Sequence, residues 1–226
     1  MRGAHRSLPP SITMRNCHFT WEYESALPVL GVDEVGVGPI AGPMAAGAVV
    51  LKPGAADHLY GVRDSKKVKE RYLEVTAERI RAQCLAWYVG WELPGVVDRN
   101  PHQTQIRLLT RCVKTVIEMC GLNSSDLQIV VDGNQELHGL GLPHLALVKG
   151  DSRCLEVACA SVLAKYSRDQ YMRRMACKYP HYDWGKNKGY PTSDHLDLVV
   201  KNGVSILHRQ RIATKAANRH RDKIKT

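Results

Sequence analysis

The sequence predicts a mixed α/β sheet surrounded by helices, with a helical C-terminal part. Three observations lead there. Apolar runs of strand length begin near residues 28, 45, 84, 127 and 145, and longer stretches of helical period separate the second from the third and the third from the fourth. The first two runs are joined by too short a segment for a helical crossover, which makes them antiparallel neighbours. Beyond residue 179 the only periodic stretches are helical.

In chain order, Leu30 and Val32 alternate with Gly31 and Asp33 in the first strand, and Ala45 to Leu51 form the second. Asp64-Ser65 signals a helix start, with a helix to Gln83 whose apolar positions are Val68, Tyr72, Val75 and Ile80. Cys84 to Leu93 reads as a strand with Leu85, Trp87, Val89 and Trp91 on one face. A helix from about Gln103 to Cys120 buries Ile106, Leu109, Val113, Val116 and Ile117. Leu127 to Asp132 and Leu145 to Asp151 are further strands, and Leu155 to Cys177 is a long helix of small residues suited to close packing on a sheet. Thr192 or Ser193 caps a short helix carrying Leu196, Val199 and Val200, which stops at Asn202-Gly203.

The 226 residues are expected to divide into a mobile basic arm (1–24), a catalytic domain (25–178) and a C-terminal part ending in a basic tail (179–226). No apolar run approaches the roughly 20 residues of a bilayer span, and no signal-peptide core follows the N-terminus. A cytoplasmic monomer with no membrane association is expected. Seven scattered cysteines, none in a zinc-knuckle pair, read as reduced core thiols. The net charge of +10 lies mostly at the ends: +3 in residues 1–16 and +6 in residues 208–226, which leaves +1 for the body. Such ends attract phosphates over about a Debye length, without reading sequence.

Chemistry is concentrated where apolar strands end in acids. Asp33 and Glu34 close the first run, Asp132 closes Leu127 to Asp132, and Asp151 closes Leu145 to Asp151. Open α/β sheets carry their sites at such C-terminal strand ends. Carboxylates alone suit a hard divalent cation, Mg²⁺ or Mn²⁺, that shares its shell with water and phosphate oxygens. Two such ions about 4 Å apart can activate water and stabilise the leaving oxygen of a phosphodiester. Consecutive strand residues point to opposite faces, so Asp33 and Glu34 can share a site only where the strand ends or bulges.

Gly36-Val37-Gly38 follows at once. Its glycines do not match a dinucleotide-binding turn in spacing or context, but they let amides approach phosphate or sugar atoms. Ser65, Lys66, Lys67, Lys149, Arg153, Lys186 and Lys188 flank the acid-bearing segments as candidate phosphate contacts. Tyr190, between glycine and proline, is placed to stack on a sugar or base. His208 beside Arg209 reads as a structural or phosphate contact.

These segments together resemble ribonuclease HII from about Leu30 to Ala213. The resemblance is carried by Gly31-Val32-Asp33-Glu34-Val35-Gly36, Asp64-Ser65-Lys66-Lys67, Val131-Asp132-Gly133-Asn134, Lys149-Gly150-Asp151-Ser152, Ala160-Ser161-Val162-Leu163-Ala164-Lys165 and Lys188-Gly189-Tyr190-Pro191-Thr192, in that order. It implies a ribonuclease H-like sheet and an endonuclease that cuts the RNA strand of RNA/DNA hybrids. The family also incises 5′ to single ribonucleotides in duplex DNA, leaving 3′-hydroxyl and 5′-phosphate ends. The family's catalytic, metal-holding acids then fall on Asp33, Glu34, Asp132 and Asp151. Amides around Gly36 and Gly38, with Tyr190 against the ribose, would sense the 2′-hydroxyl. Two departures stand out: Val37 replaces the family's usual basic residue, and Gln210-Arg211-Ile212 replaces its Arg-Ser-Phe. A nucleic-acid-binding protein with weak or no catalysis is the alternative they leave open.

Overall fold

The computed structural model describes residues 21–23, 25–62 and 68–224. The expected arm lies almost wholly outside the described residues, and so do Ser65, Lys66 and Lys67. The elements are β1 (Val29–Val35), β2 (Met44–Leu51), α1 (Glu70–Gln83), β3 (Cys84–Glu92), α2 (Pro94–Arg99), α3 (Pro101–Cys120), β4 (Gln128–Asp132), β5 (Leu145–Leu147), α4 (Leu155–Lys178), α5 (Trp184–Asn187), α6 (Ser193–Asn202) and α7 (Gln210–Ile224).

The five strands form one mixed sheet in the order β3-β2-β1-β4-β5. Strands β1, β2 and β3 form an antiparallel meander, while β4 runs parallel to β1 and β5 parallel to β4. Connection length explains the split. Residues 36–43 are too few for a crossover, whereas α3 carries the chain from β3 across to the open edge of β1.

Pleating sends alternate residues to two helical layers. Leu30, Val32, Ile129 and Val131 pack with Leu109, Val113 and Val116 of α3. Each such burial contributes roughly 1.5–3 kcal/mol, so a one-residue register slip would be prohibitive. Gly31 and Gly47 lie on the other face, where α4 comes into backbone contact. A Cβ on Gly31 would stand 2.2 Å from the Glu156 carbonyl carbon, and one on Gly47 2.4 Å from the Ala160 oxygen. The small residues Ala158, Ala160 and Ala164 of α4, all buried, complete this contact. Substituting either strand glycine would push the helix off the sheet.

Four local expectations need correction. The buried stripe of α1 is Leu73, Ala77 and Ile80, while Tyr72 and Val75 are exposed, because the helix faces α4 through the i, i+4, i+7 row. In β3, the pairing with β2 skips from Ala86 to Cys84, so Leu85 is the extra residue of a bulge and turns outward. Strand β5 is only three residues long, and Asp151 sits beyond it on a 3₁₀ turn, Gly150–Ser152. The basic stretch after His208 is a packed helix for most of its length. Ala213 and Ala217 of α7 are buried in a cluster with Trp184 and Val199. Asp98 of α2 caps its start, accepting from the Arg211 and Ile212 amides at 2.9 and 3.1 Å.

Cys84, Cys112, Cys154 and Cys159 are buried thiols. Burial pushes Cys84 up to about 12 and Cys112 up to about 11, which makes them inert. Among the described residues no helix is long and apolar enough to cross a membrane.

Candidate active site

The acids meet where the parallel half of the sheet ends. Strands β1 and β4 pair as far as Val32 opposite Val131, so Asp33 and Asp132 are the next residues on neighbouring strands. The pleat puts both on the α4 side, because Gly31 and Val130 two residues earlier face that layer. Strand β1 continues to Val35 with regular pairing to β2, without the bulge that would bring Asp33 and Glu34 to one face. Glu34 therefore leaves the strand on the α3 side. Its charge nonetheless acts on Asp33 and helps to raise that carboxyl.

Asp151 arrives by a different device. Lys149 adopts a left-handed conformation, φ 57°, rare for a residue with a side chain, and folds the chain back after β5. The Asp151 amide then donates to Asp132 Oδ1 at 3.4 Å. Gly150 keeps the approach open, since a Cβ there would stand 3.3 Å from the same oxygen.

Asp33 is 5% exposed and is the electrostatic focus. Burial raises its carboxyl well above the usual range, and the charges of Glu34, Asp132 and Asp151 add to this, against a hydrogen bond from Ser161 of α4. Its Oδ1 also accepts from the Glu34 amide at 2.7 Å. Among the described residues, no three acid, histidine or cysteine side chains already stand in a metal-holding cluster. The set is thus an open group of like charges in which Asp33 and Asp151 are buried. That fits a hard cation which keeps waters and takes phosphate oxygens, and does not fit an all-protein cage. Asp33, Glu34, Asp132 and Asp151 are the residues that would hold it.

The remaining candidates lie on three segments, 36–38, 149–153 and 186–190. Gly36 is buried with φ 89°, and a Cβ there would meet Arg168 Nε at 2.5 Å. Val37 and Gly38 are exposed at the tip. Tyr190 is 41% exposed, with the Arg168 guanidinium carbon 5.8 Å from its ring centroid. Lys149 is exposed beside Asp151, and Arg153 is bound to Glu22 at 2.7 Å. Lys186 pairs with Asp194 at 3.3 Å. Lys188 is 8% exposed, and its ammonium is taken by the Gly185 carbonyl and by Glu70 at 3.0 Å. Its charge is therefore internally matched, unlike that of Lys149.

Two buried arginines that the sequence reading did not single out hold the 36–43 loop, and one of them, Arg168, also ties it to Lys188. Arg168 of α4 donates to the carbonyls of Pro43, Lys188 and Ala41 at 2.9, 3.0 and 3.1 Å. Arg209 donates to Val37 at 2.6 Å, to Gly42 at 3.3 Å and to Gly36. Burial lowers Arg209 to about 9, with the Arg168 charge adding to it and Asp98 opposing, so it stays charged at neutral pH. Arg168 carries no sequence signal in a helix with other basic residues. Arg209 is hidden by the basic run that follows it.

His208 proves structural. Its Nδ1 accepts from the Ser205 amide at 2.9 Å, which leaves Nε2–H to face His195 Nε2 at 3.4 Å. Trp184 donates to the same His195 nitrogen at 3.1 Å, and His195 Nδ1–H donates to the Tyr190 carbonyl at 2.8 Å. This assigns both imidazoles as neutral, and it anchors the residue that carries the exposed ring.

The family model for ribonuclease HII matches residues 30–215. A ribonuclease HII of Paracoccus denitrificans is 40% identical over 186 residues, 82% of this chain and 84% of that protein. The ribonuclease H2 structure from Pyrococcus horikoshii OT3 superposes with a TM-score of 0.69 at 23% identity, covering 86% of this chain and 99% of that one. A Bst-RNase HIII structure in complex with Mn²⁺ has the same fold, with a TM-score of 0.65 at 18% identity, covering 86% of this chain and 71% of that one. The chain belongs to the ribonuclease HII family and is a metal-dependent phosphodiester hydrolase of the ribonuclease H type.

Proposed function

We propose that this protein hydrolyses the RNA strand of RNA/DNA hybrids and incises 5′ to ribonucleotides embedded in duplex DNA, leaving 3′-hydroxyl and 5′-phosphate ends. The observation that carries the reading is Asp33, buried among the charges of Glu34, Asp132 and Asp151 at the end of the parallel strands. Two Mg²⁺ or Mn²⁺ ions, when bound, supply an activated water and neutralise the leaving oxygen.

The protein's own groups divide the remaining work. Asp33 and Asp132 are rigid because sheet pairing sets their backbones, and Asp151 is set by the Lys149 turn. Ser161 orients the Asp33 carboxylate. Val37 and Gly38 present backbone to the solvent, where a ribose can approach, and Tyr190 offers an exposed ring for stacking. Lys149 is the exposed cation nearest in sequence to Asp151 and suits a phosphate contact. Lys188 is assigned to the loop's internal structure, and Lys66 and Lys67 to phosphate contacts by the family resemblance alone. The expected place of work is the cytoplasm.

The test is cleavage of three labelled duplexes, each with Mg²⁺, Mn²⁺ or chelator: a long hybrid, DNA with one ribonucleotide, and all-DNA. Metal-dependent cutting of the first two with all-DNA intact is the expected result. Cutting of the hybrid alone would restrict the reading to hybrid removal. Binding without cutting under any metal would replace it with the binding-protein reading.

A further inference from the structure

Residues 36–43 leave the sheet between β1 and β2 and must return within eight residues, carrying Val37 and Gly38 at the tip. Side-chain packing does not hold this tip, because Gly36 and Gly38 offer none and Val37 is 38% exposed. Backbone contacts hold its base: Ile40 N donates to Gly189 O at 2.9 Å, Gly42 N to Leu207 O at 2.8 Å, and Arg209 N to Ile40 O at 2.8 Å. The tip itself is gripped by one side chain. The Arg209 guanidinium donates to the carbonyls of Gly36, Val37 and Gly42, joining the two ends of the loop from inside.

Peptide geometry turns that grip into an orientation. In a planar trans peptide the carbonyl and the following N–H point in opposite directions. Drawing the Gly36 and Val37 carbonyls inward onto Arg209 therefore aims the Val37 and Gly38 N–H groups outward. Among the described residues neither amide has an acceptor within the protein, and both residues are exposed. Two adjacent outward donors can together bind an anion or a hydroxyl. Arg209 itself is fully buried and touches no solvent.

We propose that Arg209 is the positioning residue of ribonucleotide recognition: its guanidinium holds the loop carbonyls inward so that the paired Val37 and Gly38 amides face the ribose 2′-hydroxyl and its phosphate. This deepens, and rests on, the ribonucleotide reading above. It also explains how Val37 is accommodated where the family usually has a basic residue. The donors belong to the backbone, and the cation that orients them comes from residue 209. A side chain at 37 adds a phosphate contact but does not set the loop.

The test uses the uncut complex, with Asp132→Asn as background and Mg²⁺ present. It reads the ratio of Kd for all-DNA to Kd for the same duplex with one ribonucleotide. A background ratio of one would remove the ribonucleotide reading, and Arg209's role with it, before any Arg209 variant is examined. Given a ratio above one, Arg209→Met is expected to lower it about tenfold or to unity, the size of one or two net hydrogen bonds. Arg209→Lys, which keeps the charge but loses the fork, should fall between. Val116→Ala, a remote core truncation, should lower the melting temperature and leave the ratio unchanged. An unchanged ratio in folded Arg209→Met, or an equal collapse in Val116→Ala, would overturn the proposal. Should Arg209→Met not fold, amide shifts decide in the background protein. The Val37 and Gly38 resonances must move more with the ribonucleotide duplex than with all-DNA, and equal movement refutes the assignment.

Discussion

The acid cluster and the glycine loop are neighbours along the chain, yet opposite forces hold them. Asp33 and Asp132 end strands whose register is set by Leu30, Val32, Ile129 and Val131 packing under α3. Their side chains can change without moving their backbones. Residues 36–43 have no such packing at the tip, and two buried arginines hold five of their carbonyls. There, two side chains hold the loop's backbone. The backbones that carry the acids are therefore set by many packed side chains, and the tip of the 36–43 loop by few.

The sharpest break should come at the acids. Asp132→Asn is expected to lower single-turnover cleavage on the order of 10³-fold while leaving the melting temperature within a degree or two. Asp33→Asn should lose cleavage to a similar degree and yet raise the melting temperature without divalent metal. It relieves a buried charge crowded by three others, and its amide oxygen can still accept from the Glu34 amide. A fall in the metal-free melting temperature would mean that the crowding is not felt.

Arg209→Met should show the reverse pattern. Leaving the Gly36, Val37 and Gly42 carbonyls without their donor is expected to cost about 2–4 kcal/mol by denaturant unfolding. Cleavage of a long hybrid should fall less than cleavage at a single ribonucleotide. Equal losses on both substrates would erase the contrast between the two regions.

A pH effect sharpens the comparison further. Burial, and then the neighbouring His195, lower His208 to about 4, while an unfolded histidine titrates near 6.5. The folded state therefore refuses a proton that the unfolded state accepts. His208's contribution is full above pH 6.5 and is lost as pH falls toward 4, amounting to about 3 kcal/mol. The groups facing it are Ser205, Tyr182, Trp184 and His195, and none of them is a carboxylate. Thermal unfolding between pH 7 and 4.5 should show this loss, and His208→Gln should flatten it.

The smallest effect is expected on α7. Arg211, Lys215, Arg219 and Lys223 recur every four residues, and the first three line an open groove of about 660 Å³ with Thr214 and Asn218. Replacing Lys215 and Arg219 by Gln should weaken duplex binding and reduce its salt slope by about 1 to 2. Deleting residues 214–226 is a poor probe, because it removes the buried Ala217.

That acids gather at the strand ends could be read before any fold was known, because an apolar run that ends in a carboxylate is a local pattern. The helix α3 and its stripe were legible for the same reason, and the small residues of α4 correctly signalled close packing. Errors fell where a partner chooses the face. Tyr72 and Val75 look buried by period, but α4 meets the row of Leu73, Ala77 and Ile80 instead. Leu85 obeys strand alternation until a bulge displaces it. Lys188 looks like a free cation in a basic loop, and Glu70, more than a hundred residues away, takes its charge.

Local chemistry along the chain thus determined most element types, the acids at the strand ends and the family. The tertiary structure alone decided that Asp33 and Asp151 are the buried members of the set, that Asp151 enters by a left-handed turn at Lys149, and that Arg168 and Arg209 hold the 36–43 loop. Periodicity and motif spacing act over a few residues. Burial, charge crowding and a guanidinium reaching carbonyls 125 to 173 residues away exist only once the chain has closed on itself.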